Sequence, residues 1–119
     1  MTLSDLIVSY LEQLGVEYVF SVPGSPIGPL YDALFHSEKR GGPRSVLSRH
    51  ETGCAFMAGG YARETGKIGV CCSTTGPGAT NLITGLASPM QTMSPCWRLQ
   101  RRPHFKILVL GRFRNPLLM

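Results

Sequence analysis

Acidic residues are absent from the C-terminal part of this 119-residue chain. Residues 1–88 contain six Lys/Arg and all seven Asp/Glu, whereas residues 89–119 contain six Lys/Arg and no acid. The formal net charge of +5 therefore comes from the end of the chain and not from its body. Because no recognised nucleic-acid-binding motif accompanies these charges, they are weak evidence for a nucleic acid as partner.

The chain also lacks the patterns of a metal site, a signal peptide and a membrane span. Its four cysteines form no C-x-x-C spacing, and Cys71 and Cys72 are neighbours on a predicted buried strand, where they serve as small apolar residues. An acid, Asp5, lies near the start, and no basic region precedes a hydrophobic run. No apolar stretch is long enough to cross a membrane. We expect a cytoplasmic protein with no metal ligands of its own and no membrane or nucleic-acid partner.

Helical and strand patterns alternate along the first three quarters of the chain. Apolar spacing and breakers predict helices over residues 3–14, 29–35, 51–65 and 80–87, and strands over residues 18–22, 45–48 and 67–73. The last of these strands is apolar almost throughout, which is typical of a buried parallel strand. The alternation predicts an α/β fold, a parallel sheet with helices on both faces. A chain of 119 residues suffices for one small domain.

One acidic side chain, Glu51, lies three residues after the end of a predicted strand and opens a helix of small residues. In α/β proteins ligands bind at the carboxyl ends of strands, so this junction is a candidate site. An acid in the first turn of a helix is also favoured by the helix dipole without any chemistry. Two further junctions carry similar signals, Val22-Pro23-Gly24 and the segment STTGPGATN at residues 73–81. The second segment lacks the Gly-Lys-Ser/Thr of a phosphate-binding P-loop.

Three blocks in this order, RHE, GYAR-x-TG and GPGATN, resemble the pyrimidine-binding domain of thiamine diphosphate enzymes. The resemblance is to the acetolactate synthase-like group of 2-keto acid decarboxylases and carboligases, and it runs from Leu3 to Ser88. It implies the thiamine diphosphate-binding fold, present here in part. It also implies a transferase or lyase that acts on a 2-keto acid, in branched-chain amino acid biosynthesis.

The resemblance also assigns roles to individual residues. It implies that Glu51 is the catalytic residue, which hydrogen-bonds the ring nitrogen N1′ of the cofactor's aminopyrimidine and so promotes loss of the C2 proton. Gly24, Thr74, Pro77 and Asn81 are implied to bind the pyrimidine together with Glu51. We interpret His50, which precedes the glutamate, as a packing or capping residue and not as a general base.

The other half of the cofactor site is implied to lie outside this chain. In the family a separate domain with a Gly-Asp-Gly motif holds the diphosphate and Mg²⁺, and this motif does not occur here. The family's site forms between two subunits of a homo-oligomer. We therefore expect an N-terminal fragment that is inactive by itself and binds only the pyrimidine half of thiamine diphosphate. The resemblance leaves open the keto acid, the choice between decarboxylase and carboligase, and the binding of FAD.

The resemblance ends after Ser88. Prolines at 89, 95, 103 and 116 interrupt every candidate helix, so an irregular C-terminal tail is predicted. With plausible codons, a one-nucleotide shift after Ser88 yields family-like sequence again. We therefore divide the chain into a partial pyrimidine-binding domain, residues 1–88, and an out-of-frame tail, residues 89–119. The alternative function is a small basic module whose tail contacts nucleic acid or anionic surfaces.

Overall fold

Helices and strands alternate from the first residues onward. This computed structural model describes residues 1–92, 96–99 and 105–110. The helices are α1 (Leu3–Gln13), α2 (Gly28–Glu38), α3 (Glu51–Thr65) and α4 (Pro77–Thr92), with one 3₁₀ turn, Ser25–Ile27, before α2. The strands are β1 (Tyr18–Ser21), β2 (Arg44–Leu47), β3 (Gly69–Thr74), β4 (Cys96–Leu99) and β5 (Phe105–Leu110).

The strands form one sheet in the order β2-β1-β3-β5-β4. Strand β1 pairs in parallel with both β2 and β3, whereas β5 pairs antiparallel with both β3 and β4. Because β1, β2 and β3 are parallel, their carboxyl ends lie at one edge of the sheet. The segments that lead into α2, α3 and α4 therefore start from the same edge, where α/β sheets bind ligands.

Helices cover both faces of the parallel strands. Alternate residues of β3 point to opposite faces: Val70 and Cys72 pack in the apolar cluster under α1 and α2, and Cys71 packs in the cluster under α3 and α4. Small residues line the second cluster, including Cys54 and Ala58 of α3, which are both 0% exposed. The prediction of an α/β fold with a parallel sheet covered on both faces is confirmed.

Helix ends follow the signals in the sequence. Thr2 caps α1: its hydroxyl accepts a hydrogen bond from the Asp5 amide, and the Asp5 carboxylate accepts one from the Thr2 amide at 2.8 Å. The Thr2 amide and the Thr2 hydroxyl both donate to this carboxylate, and they hold the pKa of Asp5 below its usual value. Helix α3 ends at Gly66, whose φ of +70° is the left-handed conformation that glycine adopts most readily. None of the helices in the described residues combines the length and the apolar character that a membrane span requires.

The last elements differ from the sequence prediction. Helix α4 begins at Pro77 and not at residue 80, since the fixed φ of proline suits the first helical position, and it extends to Thr92. Residues 96–99 and 105–110 form strands where the prolines predicted an irregular tail. The physical reason is a tertiary contact. The backbone N–H and C=O groups at the free edge of β3 need hydrogen-bond partners, and β5 pairs with them over six residue pairs. The rest of the predicted tail lies outside the described residues.

Strand β3 and helix α3 approach each other so closely at Gly69 that no side chain fits there. A Cβ at this position would lie 2.1 Å from the Ala58 carbonyl oxygen, which is backbone and cannot rotate away. We expect Gly69→Ala to lower the free energy of unfolding by about 3 kcal/mol, at the upper end of overpacking effects. Urea unfolding followed by circular dichroism measures this loss.

Gly60 on the same helix provides the matched control for this prediction. A Cβ at Gly60 would meet no atom within 4 Å, so Gly60→Ala should raise the free energy of unfolding by up to about 1 kcal/mol through helix propensity. Equal destabilisation by the two substitutions would contradict the close contact of β3 with α3.

Tyr61, near the end of α3, donates its hydroxyl proton to Glu17 Oε2 at 2.7 Å. Burial and this carboxylate raise the pKa of Tyr61 from 10.0 to about 12. The fold therefore favours the neutral phenol, so its contribution to stability is complete below pH 10 and is lost as the pH rises to about 12. In Tyr61→Phe, the decline of stability across this interval should be shallower in urea titrations. Tyr10→Phe, on the exposed side of α1, should keep the original slope, and an unchanged slope in Tyr61→Phe would contradict the assignment.

Candidate functional site

Glu51 is the first residue of α3 and follows β2 at the edge of the sheet where the parallel strands end. The residue before it, His50, is the N-cap of the helix, and its Nδ1 accepts a hydrogen bond from the Thr52 amide at 3.1 Å. The imidazole therefore serves as a cap, in agreement with its interpretation from the sequence. This cap leaves the Glu51 side chain as the acidic group of the first helical turn.

Asn81 is joined directly to Glu51 although the two residues are 30 positions apart in the chain. Its side-chain amide Nδ2 donates to Glu51 Oε2 at 3.2 Å, and both residues are partly buried. Asn81 lies in the second turn of α4, so the bond connects the start of α3 with the start of α4. The amide orients the carboxylate, because Oε2 accepts its hydrogen bond and Oε1 lies on the side of Gly78.

Oε1 of Glu51 lies close to Gly78, near the start of α4. A Cβ at Gly78 would be 3.1 Å from Glu51 Oε1 and 2.9 Å from Thr74 Cγ2. Thr74 in turn borders Gly24, at which a Cβ would lie 3.4 Å from Thr74 Cβ. The absence of a side chain at both glycines therefore lets Thr74 lie close to their backbones. In the part of the chain that the structure describes, no hydrogen bond reaches Oε1.

Four of the five candidate residues from the sequence meet in this cluster, namely Gly24, Glu51, Thr74 and Asn81. The fifth, Pro77, is exposed and lies at the rim, one residue before Gly78. Sequence analysis missed one contributor, Thr52, whose hydroxyl donates to the main-chain oxygen of Asn81 at 2.7 Å. A threonine in the second position of a helix carries no local signal that could have revealed this bond.

The chemistry of the cluster follows from its single carboxylate. One carboxylate oxygen of Glu51 accepts a hydrogen bond from an amide, while the other faces a surface of glycine and a methyl group. Such a site can hold a flat, partly apolar ring whose edge bears one protonatable nitrogen. The oxygen that lacks a donor can then share a proton with that nitrogen.

Other regions of the described chain are weaker candidates for a functional site. A cavity of about 620 Å³ lies at the opposite edge of the sheet, beside Tyr18 and Arg44. The charged groups that line it already form ion pairs, such as Arg40 with Glu12 at 3.3 Å and Arg44 with Glu38 at 3.2 Å. Burial raises the pKa of Cys72 to about 12, so this thiol stays neutral. Among the described residues, no three His, Cys, Asp or Glu side chains are grouped as a metal site would require.

Comparison with known proteins identifies the family of the chain. The family model of the thiamine pyrophosphate enzyme N-terminal TPP binding domain matches residues 1–103. The chain belongs to this family. The match covers every residue of the cluster, so the glutamate, the asparagine and the glycines described above all lie within the TPP binding domain.

Individual relatives of this TPP binding domain are acetolactate synthases. The chain is 48% identical over 95 residues to the acetolactate synthase of Mycobacterium avium, which covers 80% of the chain and 15% of the relative. It is 53% identical over 89 residues to the acetolactate synthase isozyme 2 large subunit of Escherichia coli K12, 75% of the chain and 16% of the relative. With the probable acetolactate synthase large subunit of Methanococcus aeolicus the identity is 45% over 112 residues, 94% of the chain and 18% of the relative.

The TPP binding domain thus spans less than a fifth of the length of these relatives. The family match extends to residue 103 and one alignment covers 112 residues, beyond the boundary predicted after Ser88. The division at Ser88 and the out-of-frame origin of the tail remain predictions. No comparison supports the alternative function, a basic module that binds nucleic acid or anionic surfaces.

Proposed function

We propose that this chain supplies the pyrimidine-activating part of an acetolactate synthase-like enzyme that acts on 2-keto acids with thiamine diphosphate. The observation that carries the proposal is the orientation of Glu51. Its Oε2 accepts the Asn81 amide proton at 3.2 Å, while Oε1 lies over Gly78. A carboxylate held in this way presents one oxygen to a ring nitrogen.

The residues present fit the aminopyrimidine half of the cofactor. The ring is planar and has apolar faces, and the site combines a methyl group of Thr74 with the bare backbone of two glycines. A substituent on Gly78 would displace either Thr74 or the Glu51 carboxylate, since its Cβ would lie 2.9 Å and 3.1 Å from them. The arrangement of Glu51 and Thr74 around Gly78 therefore depends on the absence of a side chain at this position.

Each of the five candidate residues has one role in the proposed site. Glu51 holds a proton at the ring nitrogen N1′, Asn81 keeps the carboxylate turned toward that nitrogen, and Gly24 and Thr74 border the ring. Pro77 forms the rim and begins the helix that carries Asn81. When bound, the cofactor supplies the thiazolium carbon that reacts with the keto carbonyl and accepts electrons on decarboxylation. Every other group for that chemistry comes from elsewhere in the complete enzyme.

The proposal includes components that this chain does not contain. The diphosphate and Mg²⁺ belong to a second domain, and the complete site forms between two subunits of a homo-oligomer. The described residues fit the ring half of the site, because the Asn81 amide orients the Glu51 carboxylate.

A chimeric enzyme tests the proposal. Residues 1–87 would replace the matching segment of the E. coli isozyme 2 large subunit, to which the chain is 53% identical over 89 residues. We expect the chimera to form acetolactate from its 2-keto acid substrate, because the transplanted segment provides the same pyrimidine contacts. Acetolactate formation by purified chimera is the measurement, with the parent enzyme as reference.

A second chimera, with residues 1–87 and Gly78→Val, is the control that should fold correctly but lack the proposed pyrimidine contacts. It should fold, by circular dichroism, and lose most of its activity, since the added side chain would displace Thr74 or the Glu51 carboxylate. A folded, oligomeric chimera without the substitution that produces no acetolactate would refute the proposed function.

A further inference from the structure

We propose that Thr52 is a positioning residue, which acts through Asn81 on the carboxylate of Glu51. The inference rests on the proposed function for its chemical meaning, but its geometry is independent of any ligand. Two neighbouring residues at the start of α3 bind the same residue of α4. The Thr52 hydroxyl donates to the Asn81 main-chain oxygen at 2.7 Å, and Glu51 Oε2 accepts from the Asn81 side chain at 3.2 Å.

The hydroxyl of Thr52 is not used for capping its own helix. The cap is His50, whose Nδ1 accepts the Thr52 amide proton at 3.1 Å. The hydroxyl instead bonds a carbonyl oxygen 29 residues away, within a helix whose regular bonding leaves that oxygen a second lone pair. The bond therefore joins two helices and does not stabilise either helix end.

Packing beside this bond shows how closely the two helices approach. A Cβ at Gly85 of α4 would lie 2.5 Å from the Thr52 main-chain oxygen and 2.7 Å from Ala55 Cβ. Gly85 is buried and one helical turn beyond Asn81. The contact sets the distance between α3 and α4, whereas the hydroxyl of Thr52 sets how far α4 is shifted along its axis relative to α3.

That shift decides where the Asn81 side chain lies. Since the amide reaches Glu51 Oε2 at 3.2 Å, the upper range for a hydrogen bond, a small displacement of α4 would break the contact. The carboxylate would then be free to rotate, and Oε1 would no longer be held over Gly78. Thr52 thus controls the orientation of the proton-sharing oxygen without touching the cofactor.

The test compares isotope-labelled 119-residue chains by nuclear magnetic resonance, without cofactor. The readout is the nuclear Overhauser contact between the side-chain amide protons of Asn81 and the side chain of Glu51. We expect the contact in the unsubstituted chain, its loss in Thr52→Val, and its return in Thr52→Ser, which restores the hydroxyl. Thr65→Val is the matched control, because Thr65 also donates to a carbonyl, that of Tyr61 at 2.6 Å, but at the other end of α3.

Persistence of the Asn81–Glu51 contact in Thr52→Val would overturn the proposal, as would its loss in Thr65→Val. If Thr52→Val does not fold, hydroxyl-proton exchange in the unsubstituted chain provides the test. A Thr52 hydroxyl proton that exchanges slowly with water then supports the bond to Asn81, and rapid exchange overturns it.

A second arm separates this inference from the proposed function. In the active chimera, Thr52→Val should slow exchange of the cofactor C2 proton about 5- to 10-fold, the effect of one lost hydrogen bond, with unchanged cofactor affinity and with recovery in Thr52→Ser. An inactive chimera would refute the proposed function but leave the cofactor-free contact measurement intact. A normal exchange rate in the Thr52→Val chimera would overturn the positioning role alone.

Discussion

Replacement of Glu51 by glutamine in the chimeric enzyme is expected to slow hydrogen–deuterium exchange at C2 of thiamine diphosphate by about 100- to 10,000-fold, the usual range for loss of a proton-transferring group. Glutamine matches glutamate in shape, so the substitution keeps the packing over Gly78 and beside Thr74. It removes the ability to share a proton with N1′. Exchange followed by nuclear magnetic resonance after acid quench, with turnover measured in parallel, provides the rate.

Asn81 makes this effect specific to the proton. Its amide Nδ2 is a donor, so in Glu51→Gln it binds the side-chain oxygen of the introduced amide and turns the NH₂ group of that amide toward the cofactor. The variant can therefore donate a hydrogen bond to N1′ but cannot transfer a proton to that nitrogen, as a carboxyl group can. Cofactor affinity should change little, because the diphosphate contacts are untouched. A large loss of affinity with normal exchange would contradict the role assigned to Glu51.

Glu64→Gln is the matched control for this substitution. Glu64 lies on the same helix, and its replacement is also glutamate to glutamine. It is exposed and lies near the opposite end of α3. Its replacement should leave both exchange and turnover at the values of the chimera. Equal slowing by the two substitutions would point to a general effect on α3 and would refute the catalytic assignment.

The isolated 119-residue chain is expected to show no turnover of 2-keto acids, even with excess thiamine diphosphate and Mg²⁺. The reason is energetic. Multidentate contacts to the diphosphate and metal supply most of the affinity for such a cofactor. The sequence contains no Gly-Asp-Gly, and the described residues contain no metal-ligand cluster.

What remains for the isolated chain is the ring contact of Glu51. One hydrogen bond to a charged group contributes about 1.5–3 kcal/mol, whereas association costs about 4–15 kcal/mol in lost freedom of motion. Net binding is therefore too weak to support catalysis. Product formation and calorimetric titration measure both quantities, and the active chimera is the positive control. Turnover by the isolated chain would show that the division of the site between domains is wrong.

The local features of the fold were predictable because their causes are local. Residues 51–65 were predicted as a helix with the bounds that the structure has, since a strand precedes it and Gly66 ends it. Predictions failed where a partner element decides, as in β5, which forms a strand against the open edge of β3.

The sequence by itself determined the class of fold, the family and the position of Glu51 at the end of a parallel strand. These follow from apolar periodicity, helix-capping residues and short motifs, all of which act within a few neighbouring residues. Only the tertiary structure decided that Asn81 and Thr52 join the starts of α4 and α3, and that Gly78 admits the carboxylate. Those contacts span about 30 residues of chain and depend on how closely two helices pack, which no local pattern encodes.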